Sequence, residues 1–270
     1  MTYKTVEASV SGGEPVELYK FIVGPSSYLY TSSGNQVSFS GGEYEPTAIS
    51  RTEIDQNDEI NRAGISITLP RGAAVTEEFR VYAPSSVVGA TIFAWHPTAD
   101  VYAAIWAGRV LSCEWRGVSA TLACESVFSS QKRLGLRRNY QAACPHSLYD
   151  VPCGVSKTAY KVAGLITDVT ANTLLVDTLG GYSAGYFSGG FVTRTEADGA
   201  LDTRFITEHG GTSITLSHPF NGAEVGDAVD VYPGCAHTTA ACDTKFSNIL
   251  NYGGFPYVPE KSPFGSTSVF

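Results

Sequence analysis

Six cysteines occur in the 270 residues, and four of them fall into two pairs whose spacing suggests a shared task. Cys144 and Cys153 form one pair, Cys235 and Cys242 the other, with residues 154–234 between them. Thiols gathered from distant parts of a chain can cross-link as disulfides, ligate zinc or hold an iron–sulfur centre. Residues 1–7 lack the apolar core and small-residue cleavage site of a secretory signal. Synthesis in a reducing cytoplasm is the expectation, which weakens the disulfide reading and makes a metal or iron–sulfur site worth weighing. His146 and His237 each follow a cysteine by two residues, so mixed Cys/His zinc ligation stays open. Neither cysteine pair has the tight spacing, roughly two to four residues, of a zinc knuckle.

Other residues offer less. Cys113 and Cys124 lie on a hairpin whose turn is expected at Arg116-Gly117, which would set Cys113 opposite Ala120 and leave Cys124 out of bonding reach. They read as two small buried hydrophobes. His209 and His218 fall at apparent turns and are given no role. Glu43, Glu45, Asp55, Asp58 and Glu59 contain no spacing that singles out a catalytic pair and read as a solvated face. The chain carries no serine-nucleophile elbow, phosphate-binding glycine loop or HExxH motif. No enzyme is expected.

The elements that must position the thiols are mostly strands. Period-two alternation marks 16–21, 28–30 and 36–40, then 65–70, with glycine-rich punctuation between them. Val75, Phe79 and Tyr82 switch to helical spacing before Pro84, which predicts one short helix. Strands return at 92–95, 101–106, 109–115 and 118–128. From 131 to 155 the chain turns polar, and Pro145 and Pro152 argue against a helix there. A second set of strands follows at 160–169, 174–176, 191–194, 203–206, 213–216 and 228–232, with a glycine-rich run at 180–190. Cys242, Phe246, Ile249 and Leu250 share one face of a short helix that Gly253 could cap, so Cys242 is expected to point inward.

The expected fold is mainly β: two β-barrel-like domains with short helices, the second barrel inserted between the two cysteine pairs. The expected boundaries are an N-terminal β-barrel-like hub domain at 1–130, a linker with the first cysteine pair at 131–159, the inserted barrel at 160–233, and the second pair, short helix and C-terminal tail at 234–270. A formal net charge of −8 argues against sequence-specific nucleic-acid binding, which needs clustered Lys and Arg. The one basic run, Lys132-Arg133-Leu134-Gly135-Leu136-Arg137-Arg138, reads as a solvated linker. No apolar run approaches the roughly 18 residues of a membrane span.

The arrangement Cys-x8-Cys, a β insertion, Gly226-Asp227-x-Val229, Gly234-Cys235-x6-Cys242-x3-Phe246-x-Asn248 and Gly253-Gly254-Phe255-Pro256 resembles the C-terminal part of phage tail-tip hub proteins. It is similar both to the hub proteins of gene transfer agents and to the tail tip protein L of lambda-like phages. The resemblance implies a non-enzymatic virion structural protein at the tail tip, a baseplate hub assembled as a homotrimer in the host cytoplasm. Its implied partners are the distal tail protein, the central receptor-facing tail-tip protein and the tape-measure protein. It also implies that Cys144, Cys153, Cys235 and Cys242 ligate an iron–sulfur cluster, of 4Fe–4S type, which would clip the second β region to the first. Zinc is the second choice. The competing classes are a tail-associated enzyme, either a cell-wall hydrolase or a redox protein, and a zinc-stapled adhesion module.

Overall fold

The computed structural model describes residues 2–9, 15–54, 64–80, 84–132, 135, 139–196 and 199–258. Tyr82, Asp55, Asp58 and Glu59, most of the basic run and the C-terminal tail beyond 258 therefore lie outside the described residues. The chain divides into two compact units, Met1–Leu134 with Glu196–Asp202, and Gly135–Thr195 with Thr203–Phe270. All four paired cysteines belong to the second. A cross-link among them therefore closes that unit on itself, not the second region onto the first as expected.

In the first unit nine strands are seen among the described residues: β1 (Val16–Val23), β2 (Ser26–Thr31), β3 (Val37–Phe39), β4 (Gly42–Pro46), β5 (Ser50–Arg51), β6 (Ile65–Pro70), β7 (Val88–His96), β8 (Val101–Arg116) and β9 (Ser119–Ser126). They hydrogen-bond in the order β3-β4-β2-β1-β7-β8-β9-β6-β5. Period-two patterning is clearest in β7, where every other residue is buried. Phe21, Ile67, Leu69, Ile92 and Leu122 build the main core with Val75, from the short helix Ala74–Glu77. The opposite face of β1 buries Leu18 with Phe39 and Tyr44, so this strand is covered on both sides.

The segments expected at 101–106 and 109–115 form one strand, β8, bent by register shifts opposite Ile92/Phe93 and between Val110 and Ser112. Its hairpin turns one residue later than the Arg116-Gly117 reading. Arg116 pairs with Ser119, which places Cys113 opposite Leu122 and not Ala120. Both hairpin cysteines are free thiols, and Cys124 packs in the core with Cys113 against it.

The second unit holds a closed barrel of β10 (Val162–Thr170), β11 (Thr173–Val176), β12 (Phe191–Thr195), β13 (Leu201–Gly210), β14 (Ser213–Leu216) and β15 (Ala228–Tyr232), in the order β10-β11-β14-β13-β12-β15 among the described residues. Closure removes the unpaired edges that a six-stranded sheet would otherwise expose. The glycine-rich run forms no strand. It folds as a 3-10 turn (Asp177–Gly181) and a further turn that drops Phe187 into the barrel core beside Leu179, Ile206 and Ile214. His209, expected as a surface turn residue, is buried against the Phe187 ring at 4.9 Å, whereas His218 is exposed.

The turn before β15 is organised by a cation. The Arg194 guanidinium donates to the carbonyls of Asn221 (2.5 Å) and Gly222 (2.8 Å) and to Asp227 Oδ2 (2.8 Å), and it lies over the Phe220 ring. The hydrogen bond from Arg194 holds the Asp227 carboxyl below its ordinary value of 3.8. A carboxyl depressed in the folded state contributes stability above its unfolded value and loses it as pH falls through the folded one. Asp227→Asn should therefore cost more stability at pH 6 than at about pH 3, because the advantage of the native carboxylate shrinks as pH falls below 3.8 toward its folded value. Urea unfolding at the two pH values checks this, and an equal loss at both would contradict it.

Candidate metal centre

The barrel opens and closes beside the cysteines. Cys153 lies nine residues before β10, and Cys235 three residues after β15. The cysteines are thus brought near each other by strand pairing as well as by local sequence, because β10 and β15 are neighbours, with Val162 opposite Val231. The expected insertion of a barrel between the two pairs is what the topology contains.

Cys144, Cys153, Cys235 and Cys242 line one enclosed cavity of about 20 Å³, together with His146, His237, Phe246 and Tyr252. Each sulfur also has a hydrogen-bond partner. The His237 N–H donates to Cys235 Sγ (3.3 Å), the Gly253 N–H to Cys144 Sγ (3.4 Å) and Asn248 Nδ2 to Cys153 Sγ (3.9 Å), while the Cys242 thiol donates to the Asn248 carbonyl (3.2 Å). Burial, followed by the fields of Cys144, Cys235 and Cys153, pushes the Cys242 thiol above its ordinary value. Four thiolates so close repel one another unless a bound cation offsets them.

The two cysteine-bearing segments are also joined through their backbones. The Cys144 N–H donates to the His237 carbonyl (2.9 Å), and His237 Nδ1 meets the Cys144 carbonyl (3.0 Å). Since a carbonyl only accepts, Nδ1 carries the proton and Nε2 keeps its lone pair. The Tyr252 hydroxyl is shared between the carbonyls of Ala142 (2.6 Å) and His237 (3.2 Å), and Asn248 Nδ2 also donates to the Cys153 carbonyl (2.6 Å). Three non-glycine residues with positive φ, Tyr149, His237 and Ser247, sit on these same segments. Such backbone strain is held only where surrounding contacts over-determine it.

The helix expected from Cys242 onward is a single π turn (Ala241–Lys245). Cys242 and Phe246 are buried as expected, but Ile249 and Leu250 are exposed. Ser247 is the reason. It adopts φ 49°, its N–H reaches the Asp243 carbonyl and the Asn248 N–H returns to the Cys242 carbonyl, so a left-handed residue ends the helix. Gly253 is consequently no cap. A Cβ there would lie 2.3 Å from His146 Nε2, and one on Gly254 would lie 2.4 Å from the Ala142 carbonyl, so the glycine pair lets this strand of chain lie against residues 142–146.

Sequence reasoning had singled out the four cysteines and both histidines, and the fold brings all six to one cavity. It missed Lys245, Tyr252 and Tyr149. Tyr149 donates to the Pro233 carbonyl (3.0 Å), and nothing in the local pattern around these residues distinguishes them from surface positions. Glu43 and Glu45 are exposed, in keeping with a solvated face. As placed, no three described His, Cys, Asp or Glu side chains are grouped as one metal ion would require.

With this geometry in view, comparisons locate the chain among known proteins. It superposes on a chain of the native gene transfer agent (GTA) virion with a TM-score of 0.80, covering 96% of this chain and 92% of that one at 19% identity. The fold is that of a virion chain. Residues 185–262, which include Cys235 and Cys242, match a family described as phage conserved hypothetical protein BR0599. An uncharacterized protein of Xylella fastidiosa (strain 9a5c) is 39% identical over 115 residues, which is 42% of this chain and 22% of that protein. The aligned stretch thus spans about a fifth of that relative's length. Both the family match and the shared fold support the phage-related resemblance seen in the sequence.

Asn248 is one of the side chains that tie the first cysteine pair to the second, and the one that reaches Cys153. Asn248→Ala should leave the Cys153 carbonyl without its donor, at about 1–3 kcal/mol, and raise the reactivity of Cys153 toward a thiol reagent under native conditions. Cys124, whose thiol burial pushes up to about 12, is the slow-reacting reference. Peptide mapping after timed alkylation checks it, and unchanged labelling of Cys153 would contradict the role given to Asn248.

Proposed function

We propose that this chain is a non-enzymatic structural component of a phage-like virion, a tail-tip or baseplate hub, whose Cys144, Cys153, Cys235 and Cys242 hold an iron–sulfur cluster of 4Fe–4S type. The observation that carries the cofactor reading is the convergence of all four thiols on the lining of one small cavity. The donor set suits such a cluster. Thiolates around a single zinc at Zn–S of about 2.3 Å would sit close together, and a multi-iron cluster, with each thiolate on a different iron, separates them more widely. Backbone and amide N–H groups directed at sulfur are the kind of contact that tunes and protects thiolate ligands.

The cluster's role in this reading is structural. Residues 154–234 leave at Cys153 and return at Cys235, so a four-ligand site closes a long loop, and the closure entropy offset grows as about (3/2)RT ln n. Binding free energy at such a site is partly folding free energy. The position would be the tail tip, as a homotrimer between the distal tail protein and the central receptor-facing protein, close to the tape-measure protein, after assembly in the host cytoplasm. The support for this is the 0.80 TM-score to a virion chain over nearly the whole length.

A zinc site is the second reading, favoured by one observation. His237 donates through Nδ1 to a backbone carbonyl, the usual arrangement of a histidine that binds metal through its other nitrogen.

The full chain purified without oxygen should be brown and contain iron and acid-labile sulfide. A colourless preparation with one zinc per chain would support the zinc reading instead. Cys235→Ser should lose the iron and expose residues 143–255 to protease, while Cys113→Ser keeps both. In assembled particles, density for this chain should be three-fold, and six-fold density would sink the hub assignment.

A further inference from the structure

Lys245, at the end of the π turn that carries Cys242, has an environment that hydrogen bonding alone does not explain. Its ammonium donates to the Gly234 carbonyl (2.7 Å) and to the Tyr186 carbonyl, and it faces the rings of Tyr186 (4.3 Å) and Phe246 (5.5 Å). Phe246 is buried and Lys245 itself is half-buried. Among the described residues Lys245 has no carboxylate partner. A desolvated ammonium without a counter-anion is costly, and carbonyl dipoles and ring faces offset that only in part. The sulfur set borders it on two sides of the chain, because the Gly234 carbonyl it holds belongs to the residue before Cys235 and its own helical turn holds Cys242.

We propose that Lys245 is the fixed countercharge of the four-cysteine centre, and that it positions the Gly234-Cys235 turn against the π turn of Cys242. Four thiolates bring four negative charges, more than a divalent ion or a cluster core of low positive charge neutralises, so the loaded centre remains anionic. A cation held in place beforehand stabilises that anion in a poorly solvated setting without reorganising. The same ammonium is also a joint, since its two carbonyl acceptors lie on the turn inside the glycine-rich run and on the exit from β15. The inference rests on the cofactor reading above, and it concerns which residue sets the charge and the retention of that centre.

The test compares Lys245→Met, Lys245→Gln and Lys245→Arg in the full chain, purified without oxygen beside the native protein. Lys245→Gln keeps amide donors without the charge, and Lys245→Arg keeps the charge. The first readout is the rate at which iron passes to a chelator. The second is the midpoint potential of the centre. Loss of the charge should speed release by about tenfold, as removal of groups supporting metal ligands commonly does. It should also move the potential to more negative values, because an added electron is no longer offset. Both effects are expected in the Met and Gln variants, with Arg close to native. If Lys245→Gln matches the native protein in both readouts, the countercharge role is overturned. If Lys245→Met does not fold, the Gln and Arg pair decides alone. A native protein without iron and sulfide refutes the cofactor reading itself, before any variant is compared.

Discussion

One backbone hydrogen bond and one ring-to-carbonyl hydrogen bond between the segments that carry the cysteines are the constraint on which the rest of the second unit depends. The Cys144 N–H meets the His237 carbonyl, and the His237 ring meets the Cys144 carbonyl. A loop such as 139–159, which forms neither helix nor strand before its 3-10 turn at Thr158–Tyr160, has no ladder of its own to satisfy its polar groups. It finds partners in residues 237–255 instead. Tyr252, Asn248 and the Phe255 N–H, which reaches the Gln141 carbonyl, all serve the same purpose. The thiols converge as a by-product of that exchange, and the left-handed backbone at His237 and Ser247 is what it costs.

The barrel makes the exchange geometrically possible. Its first and last strands pair with each other, so a long insertion begins and ends at nearly one place. Close chain crossings at the exit sharpen this. A Cβ on Gly234 would lie 2.2 Å from the Ser188 carbonyl, and one on Gly190 would lie 2.0 Å from that of Tyr232, so the run after β15 passes directly against the turn that carries Phe187. The barrel core and the thiol cavity are therefore coupled through backbone contact, and a change in one is felt as strain in the other. Aromatic packing supports the same junction, with Phe191 stacked on Tyr232 at 4.6 Å and the Lys157 ammonium over both rings.

The cavity itself is small, its sulfurs are hydrogen-bonded, and one of its two histidines, His237, is committed at one nitrogen. Leu250, Val151 and Tyr257 are almost fully exposed on the cysteine-bearing segments, where sequence alone would have buried at least the leucine.

The sequence by itself determined the β character, most strand positions, the insertion between the two cysteine pairs and the four sulfurs themselves. Alternation of apolar residues, as in β7, and glycine punctuation are local signals that survive folding because a half-buried strand must obey them. It also determined that Cys242 and Phe246 turn inward together, since residues four apart on any helical turn share a face. Tertiary structure decided what local pattern could not. It ended the helix at Ser247 and exposed Ile249 and Leu250, because the left-handed residue returns the chain to Cys242 at a point where Asn248 must reach Cys153. It buried His209 beside Phe187, moved the β8–β9 turn by one residue, and gathered Lys245, Tyr149 and Tyr252 about the thiols. Asn248 on Cys153, His209 on Phe187, Lys245 on Tyr186, Tyr149 on Pro233 and Tyr252 on Ala142 all depend on partners tens of residues away, and contacts across such distances leave no periodicity in the chain to be read.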